Sequence, residues 1–204
     1  MPRTKQRTPE LRDRVLAAAV ELLAREGIAG FTARAIAIEA ETSTPAIYEL
    51  FGDKAGVVRE VFFEGFRLLR RRLDALSITD DPRADLLALA GAYRDFIHEY
   101  PALAQLMFLR PFADFDPGKS ESRAGESVRE FIIGRVRSCV DAGLLHGDET
   151  DIAHALVALT QGLATAENSK RLGTTRASID RRWALAMSAL LDGLQARASG
   201  MSGT

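Results

Sequence analysis

Cysteine is almost missing from this 204-residue chain: Cys139 stands alone. One thiol excludes an intramolecular disulfide framework and any multi-cysteine zinc site. Its apolar helical setting reads as a small buried residue. Histidine is scarce too, and His98, His146 and His154 are scattered. His98-Glu99 has no second histidine four residues after the first, which excludes the zinc-protease helix. No Glu-x-x-His pair of a di-iron bundle occurs, and no glycine-rich phosphate loop. These absences argue against an enzyme, and no cofactor or metal is expected. Long apolar runs are missing as well. Nothing approaches the roughly 18 residues that a membrane span needs. At the N-terminus Glu10, Arg12, Asp13 and Arg14 break up any signal-peptide core, so the expectation is a cytoplasmic protein with no membrane partner. Charge of one sign is also lacking, at a net −1. If nucleic acid is the partner, basic groups must be local. The one acid-free basic arm is Arg3, Lys5 and Arg7.

What is present is helical spacing. Strand-length alternation of apolar and polar residues is absent, whereas apolar residues recur at three and four throughout. Thr8-Pro9-Glu10 starts a helix that carries Leu11, Val15, Ala18 and Leu22 and stops at Gly27. Thr32 caps a short helix that buries Ile36 and Ala37. Ser43 or Thr44 caps a third, with Pro45 in its first turn and Ile47 and Phe51 inward as an i, i+4 pair. A long helix follows from Ala55 to about Leu76. A fifth runs from Asp81-Pro82 to Pro101, and a sixth from Ala102 to Leu109. A loop spans Arg110 to Ser120. A seventh helix stops at Gly143. Asp148 caps an eighth, and Thr174 or Thr175 a ninth with a stripe of Ile179, Trp183, Met187, Leu190 and Leu194.

The informative stretch is Phe31 to Lys54. Two short helices joined by a three- or four-residue turn, braced by a longer helix before them, make a helix-turn-helix, whose second helix enters the DNA major groove. That helix begins with Ser43, Thr44, Pro45 and Ala46. Small side chains allow close approach to base edges, hydroxyls can bond bases or phosphates, and methyls can touch thymine. From the residues alone, Ser43 and Thr44 are capping candidates, Arg34 and Lys54 surface charges, and Tyr48 a half-buried aromatic.

Thr32 and Arg34, Ile36-Ala37, Ser43, Ile47-Tyr48, Phe51 and Lys54 together resemble the DNA-binding signature of the tetracycline-repressor (TetR) family over about residues 8 to 60. The resemblance implies phosphate contacts from Tyr48, Lys54, Thr32 and Arg34. It implies base contacts from Ser43, Thr44, Pro45 and Ala46, and a DNA-reaching arm of Arg3, Lys5 and Arg7. Three positions depart from the pattern: Glu41 stands where a turn glycine is usual, Leu50 replaces a frequent aromatic or histidine, and Pro45 shortens the recognition helix. Residues 1–60 hold nine Lys/Arg and nine Asp/Glu, so the module is not basic overall.

The fold so implied is all-α, with about nine helices. A three-helix helix-turn-helix DNA-binding domain would cover 1–56, and a helical ligand-binding and dimerisation domain 57–204. On the eighth helix Ile152, Leu156, Leu159 and Leu163 read as a core stripe, with His154, Ala158, Gln161, Thr165 and Asn168 on the other side. Ala155, Ala158 and Gly162 are small enough for close helix approach. By the resemblance, the last two helices pair with their copies in a homodimer, with His154, Ala155, Ala158, Gln161, Gly162 and Thr165 in the interface. Candidate pocket linings are Phe96, Met107, Phe108, Phe112, Phe115, Phe131 and Trp183; plain core is the simpler reading for any single one, with Phe112 and Phe115, two aromatics in a Pro/Gly loop, the exceptions. The implied function is a transcriptional regulator, a repressor that leaves a palindromic double-stranded DNA operator when a small, largely apolar effector binds. The alternative is a helical protein-interaction module with a degenerate helix-turn-helix. Salt-dependent DNA affinity separates the two.

Overall fold

The structure, a computed structural model, describes residues 9–109 and 119–196. Among them are nine helices and no strand: α1 (Pro9–Gly30), α2 (Ala33–Glu39), α3 (Thr44–Phe51), α4 (Lys54–Asp74), α5 (Pro82–Glu99), α6 (Pro101–Leu109), α7 (Lys119–Asp141), α8 (Glu149–Asn168) and α9 (Arg176–Ala196). The fold is all-α. No helix of the described residues is long and apolar enough to cross a membrane.

Most boundaries follow from local chemistry. Gly27 takes φ +67° inside α1, a left-handed break that a side chain would resist. Thr32 Oγ1 accepts from the Ala35 amide at 3.2 Å. Asp148 accepts from the amides of Thr150 and Asp151 at 2.9 and 3.0 Å, and Thr175 Oγ1 from Ser178 at 3.2 Å. Each cap satisfies a backbone N–H that has no partner within its helix. Several boundaries differ from the sequence reading; α1 is continued past the Gly27 break to Gly30, and α4 runs Lys54–Asp74 rather than Ala55 to about Leu76. Pro101 opens α6 rather than simply closing α5, because a first helical turn does not need the proline N–H. The loop read as Arg110 to Ser120 gives way to helix at Lys119, since no proline or glycine interrupts the chain between there and Gly125.

The chain forms two compact units. The first is Met1–Leu68 with Tyr100–Gly125, and the second Leu69–Glu99 with Glu126–Thr204. In the first, Val15, Ala19, Leu22 and Leu23 of α1 share a buried core with Phe31, Ile36, Ile47, Val61, Leu103 and Leu106. Here α4 and α6 approach closely at Gly65, where an added Cβ would lie 2.5 Å from Met107 Sδ. Phe62, Phe66 and Phe108 extend that contact edge to face, with centroids 5.0 and 6.4 Å apart.

In the second unit, charged groups lie inside the packing. Arg94 of α5 grips Glu167 of α8 with two 2.8 Å hydrogen bonds and lies 4.7 Å over the Trp183 ring of α9. Trp183 Nε1 donates to the same carboxylate at 2.7 Å, and His98 Nε2 lies 3.0 Å from it. Burial works against ionisation of Glu167, but the hydrogen bonds from Arg94, His98 and Trp183 outweigh it and bring its pKa down to about 2. A second cluster closes the α4–α5 connection. Asp85 accepts from the Thr79 amide and hydroxyl at 3.0 and 2.8 Å and from Arg135 at 3.4 Å.

Along α8 the buried residues are Ile152, Ala153, Leu156, Thr160 and Ala164, while Leu159 and Leu163 are half-buried. The core stripe thus runs through a threonine. Its hydroxyl is satisfied by the Leu156 carbonyl at 2.8 Å, which makes burial tolerable. On α9, Leu191 rather than Leu190 is buried with Trp183 and Met187. Cys139 of α7 is fully buried, and desolvation pushes its thiol up to about 11.

Candidate nucleic-acid interface

The turn between α2 and α3 closes with two hydrogen bonds: Thr42 N–H to the Ala37 carbonyl at 2.8 Å, and Glu41 N–H to the Ile38 carbonyl at 3.1 Å. This is a Schellman closure, which needs a left-handed residue after the cap. Glu41 supplies it, with φ +51°. The turn therefore keeps its geometry without the usual glycine, at the cost of a strained backbone.

Ser43 then caps α3, its Oγ accepting from the Ala46 amide at 3.3 Å. Pro45 lies in the first turn, where no hydrogen bond is lost, so it leaves α3 an unbroken eight-residue helix. Ile47 is fully buried. Ser43 and Pro45 are exposed, Thr44 and Ala46 half-buried, and Tyr48 is 41% exposed. Thr32 and Arg34, at the start of α2, are exposed too. The surface of this corner thus brings together hydroxyls, small side chains, an aromatic hydroxyl and a guanidinium.

Neighbouring elements hold that corner in place. Arg25 of α1 pairs with Glu39 at the end of α2, at 2.7 Å. Its hydrogen bonds hold the Glu39 carboxyl below the usual carboxylate range. Arg12 of α1 lies 4.9 Å over the ring of Phe51, the last residue of α3, and pairs with Glu60 of α4 at 2.6 Å. After α3, Gly52 adopts φ +86°, and Asp53 Oδ1 accepts from the Gly56 amide at 2.7 Å. A Cβ on Gly56 would collide with the Phe51 carbonyl oxygen, so only glycine fits this corner. Lys54 is exposed on the first residue of α4. Arg12 escaped the sequence reading because its partners lie 39 and 48 positions away and share no motif with it.

The chain matches the model of the bacterial regulatory proteins of the tetR family over residues 15–61. Over residues 86–190 it matches the tetracyclin repressor-like C-terminal domain. The chain belongs to the TetR family. It is a DNA-binding transcriptional regulator of that family. A search of curated proteins finds no match. Solved structures do match. A protein of unknown function from Rhodococcus sp. RHA1 is 26% identical over 95% of this chain and 100% of that one, with a TM-score of 0.79. The regulator FadR from Bacillus subtilis, in complex with stearoyl-CoA, is 13% identical over 89% and 98% of the two chains, with a TM-score of 0.71. BioQ with its natural double-stranded DNA operator is 24% identical over 91% and 98%, with a TM-score of 0.62.

The remaining expected residues fall in different places. Arg3, Lys5, Arg7, Phe112 and Phe115 lie outside the described residues. Phe96 and Trp183 are packed into the second unit, Trp183 with its N–H committed to Glu167. Met107 is buried against the Gly65 position and Phe108 is half-buried beside Phe66. Phe131 is half-buried, with the guanidiniums of Arg70 and Arg135 at 4.9 and 5.1 Å from its ring. On α8, His154, Ala155, Ala158, Gly162 and Thr165 are exposed together. Gln161 is engaged within the chain, its Nε2 donating to Tyr93 Oη at 2.9 Å.

Proposed function

We propose that this regulator is a cytoplasmic repressor that binds a near-palindromic operator as a homodimer and leaves it when a small, largely apolar effector binds. In this reading residues 1–56 are the DNA-binding domain and 57–204 the effector and dimerisation domain. The carrying observation is the Ser43-capped start of α3, with Thr44, Pro45 and Ala46 offered beside Tyr48 after the Schellman-closed turn. Two such helices, related by a two-fold axis, would enter successive major grooves. Ser43, Thr44, Pro45 and Ala46 face bases. Tyr48, Lys54, Thr32 and Arg34 hold phosphates, and Arg3, Lys5 and Arg7 extend the grip. The operator complex of BioQ and the acyl-CoA complex of FadR support DNA and ligand as partners of this fold. The homodimer reading draws on the small, exposed face His154, Ala155, Ala158, Gly162 and Thr165 of α8. Effector release is a population shift: the effector binds better to the conformation whose recognition helices are wrongly spaced.

Selection of bound fragments from a genomic DNA pool, followed by titration at two salt concentrations, tests the reading. A palindromic winner, bound by a dimer and weakened by salt, is the expected result. Tyr48→Ala and Lys54→Ala should weaken all sequences alike, whereas Thr44→Ala should change the preference between sequences. No enriched sequence and no salt-sensitive binding by folded protein would overturn it and leave the interaction-module alternative.

A further inference from the structure

The start of α3 is fixed twice, by the Ser43 cap and by the buried Ile47. Its end is Phe51, half-buried, three residues after Tyr48 and three before Lys54. Beyond it only Gly52 and Asp53 separate α3 from α4. The Phe51 ring is held from α1, where the Arg12 guanidinium lies 4.9 Å from its centroid. The same guanidinium pairs at 2.6 Å with Glu60, in the second turn of α4. One side chain thus joins α1, the end of α3 and α4. A guanidinium suits this double use, since it is flat and can offer its face to a ring and its edge to a carboxylate; a lysine ammonium cannot. The charge of Arg12 is also matched within the protein, by Glu60.

We infer that Arg12 is a positioning residue for DNA recognition: it sets the angle of α3 against α1 and α4 through Phe51 and touches no DNA itself. In a helix of eight residues, a tilt at the far end shifts Tyr48 and Lys54 relative to Ser43, Thr44, Pro45 and Ala46 at the near end. Hydrogen bonds to base edges tolerate little displacement. The attraction of protein cations to the DNA backbone depends far less on a fixed geometry. Arg12 therefore serves the specific complex and contributes nothing to general affinity for DNA. The inference rests on the recognition-helix reading above.

The test titrates the full-length protein, over a range of salt concentrations, with the duplex won by selection and with an unrelated duplex of equal length. Folding is checked by circular dichroism, and Arg12→Gln replaces Arg12→Ala if the latter does not fold. Arg12→Ala should weaken the selected duplex about fivefold or more and leave the unrelated one within about twofold. The slope of log affinity against log salt should stay at the wild-type value, because no phosphate contact is lost. Phe51→Leu keeps an apolar side chain but removes the ring face, so it should weaken the selected duplex too. Adding Arg12→Ala to Phe51→Leu should then cost little more. Equal weakening of both duplexes, with a slope smaller by about 0.9, would make Arg12 a phosphate ligand and overturn the inference. Unchanged affinity of the folded variant for the selected duplex overturns it as well, since Arg12 then serves stability alone. So does simple addition of the two costs, which would mean that Arg12 does not act through Phe51. If the wild type selects no sequence, the operator reading has failed, and amide hydrogen exchange without DNA decides whether Arg12 fixes α3. Faster exchange at Gly52, whose N–H bonds the Tyr48 carbonyl at 2.8 Å, is expected in Arg12→Ala, with α5 unchanged; exchange unaltered at Gly52 overturns the positioning role.

Discussion

Around the helix-turn-helix, polar side chains work at helix ends and on the surface. Thr32, Ser43 and Asp53 cap helices, and the Arg25–Glu39 pair stays in contact with solvent. In the second unit polar groups work inside. Arg94, Glu167 and Trp183 bond one another in the packing between α5, α8 and α9, and Asp85 sits under Thr79 and Arg135. A cap on a short helix is local: its loss frays one turn. A buried ion pair is shared among three helices, so removing one partner leaves a charge with no water to receive it. The module that reads DNA is built from parts that can vary singly, whereas the larger unit is tied together by parts that cannot.

The largest expected effect breaks the second unit. Glu167→Leu removes both hydrogen bonds that hold Arg94 to α8 and leaves it only Asp180 at 2.9 Å; it should cost about 3 kcal/mol in urea unfolding, and the double variant Arg94→Met/Glu167→Leu should regain much of it. The pH dependence follows from the same carboxylate. Its folded pKa of about 2 lies below the ordinary glutamate value of about 4.3. Its contribution is therefore complete above that ordinary value and is lost as pH falls from there through 2. Acid titration of Glu167→Gln should show a shallower loss of stability over that window than wild type.

Next comes a steric constraint in the first unit, a Cβ meeting backbone rather than a side chain. Gly56→Ala forces a Cβ onto the Phe51 carbonyl and should cost more than about 2 kcal/mol in thermal unfolding. Ser43→Ala removes one cap and should cost about 1 kcal/mol. A cost for Glu167→Leu no larger than that of Ser43→Ala would erase the contrast between the units. The smallest effect has the opposite sign. Glu41→Gly relieves a left-handed side-chain residue and should stabilise the protein by about 1 kcal/mol or less, read as a raised unfolding midpoint.

The same contrast explains what the sequence discloses. Thr32, Ser43, Asp148 and Thr175 cap helices within three residues of themselves, so their roles can be read from a short window, and the helix order with them. The helix-turn-helix is legible for the same reason. The Arg94–Glu167 pair spans 73 positions and Arg12 reaches Phe51 and Glu60; no periodicity announces either. The α8 stripe read from the sequence omits Thr160, whose burial depends on the i−4 carbonyl of Leu156, a partner any helix offers. Glu41 looked like a damaged turn, yet the two closing hydrogen bonds hold it in the shape a glycine would take. The arginines beside the Phe131 ring leave no mark in the spacing either.

The sealed thiol has a practical consequence. Cys139 is the chain's sole cysteine, with no exposed surface and a thiol held mostly protonated at neutral pH. A labelling reagent can reach it only while α7 is momentarily parted from its neighbours, so the labelling rate is a built-in clock for breathing of the second unit. Slower labelling in the presence of a bound molecule would report that the molecule tightens that unit, with no engineered reporter and no change to the sequence.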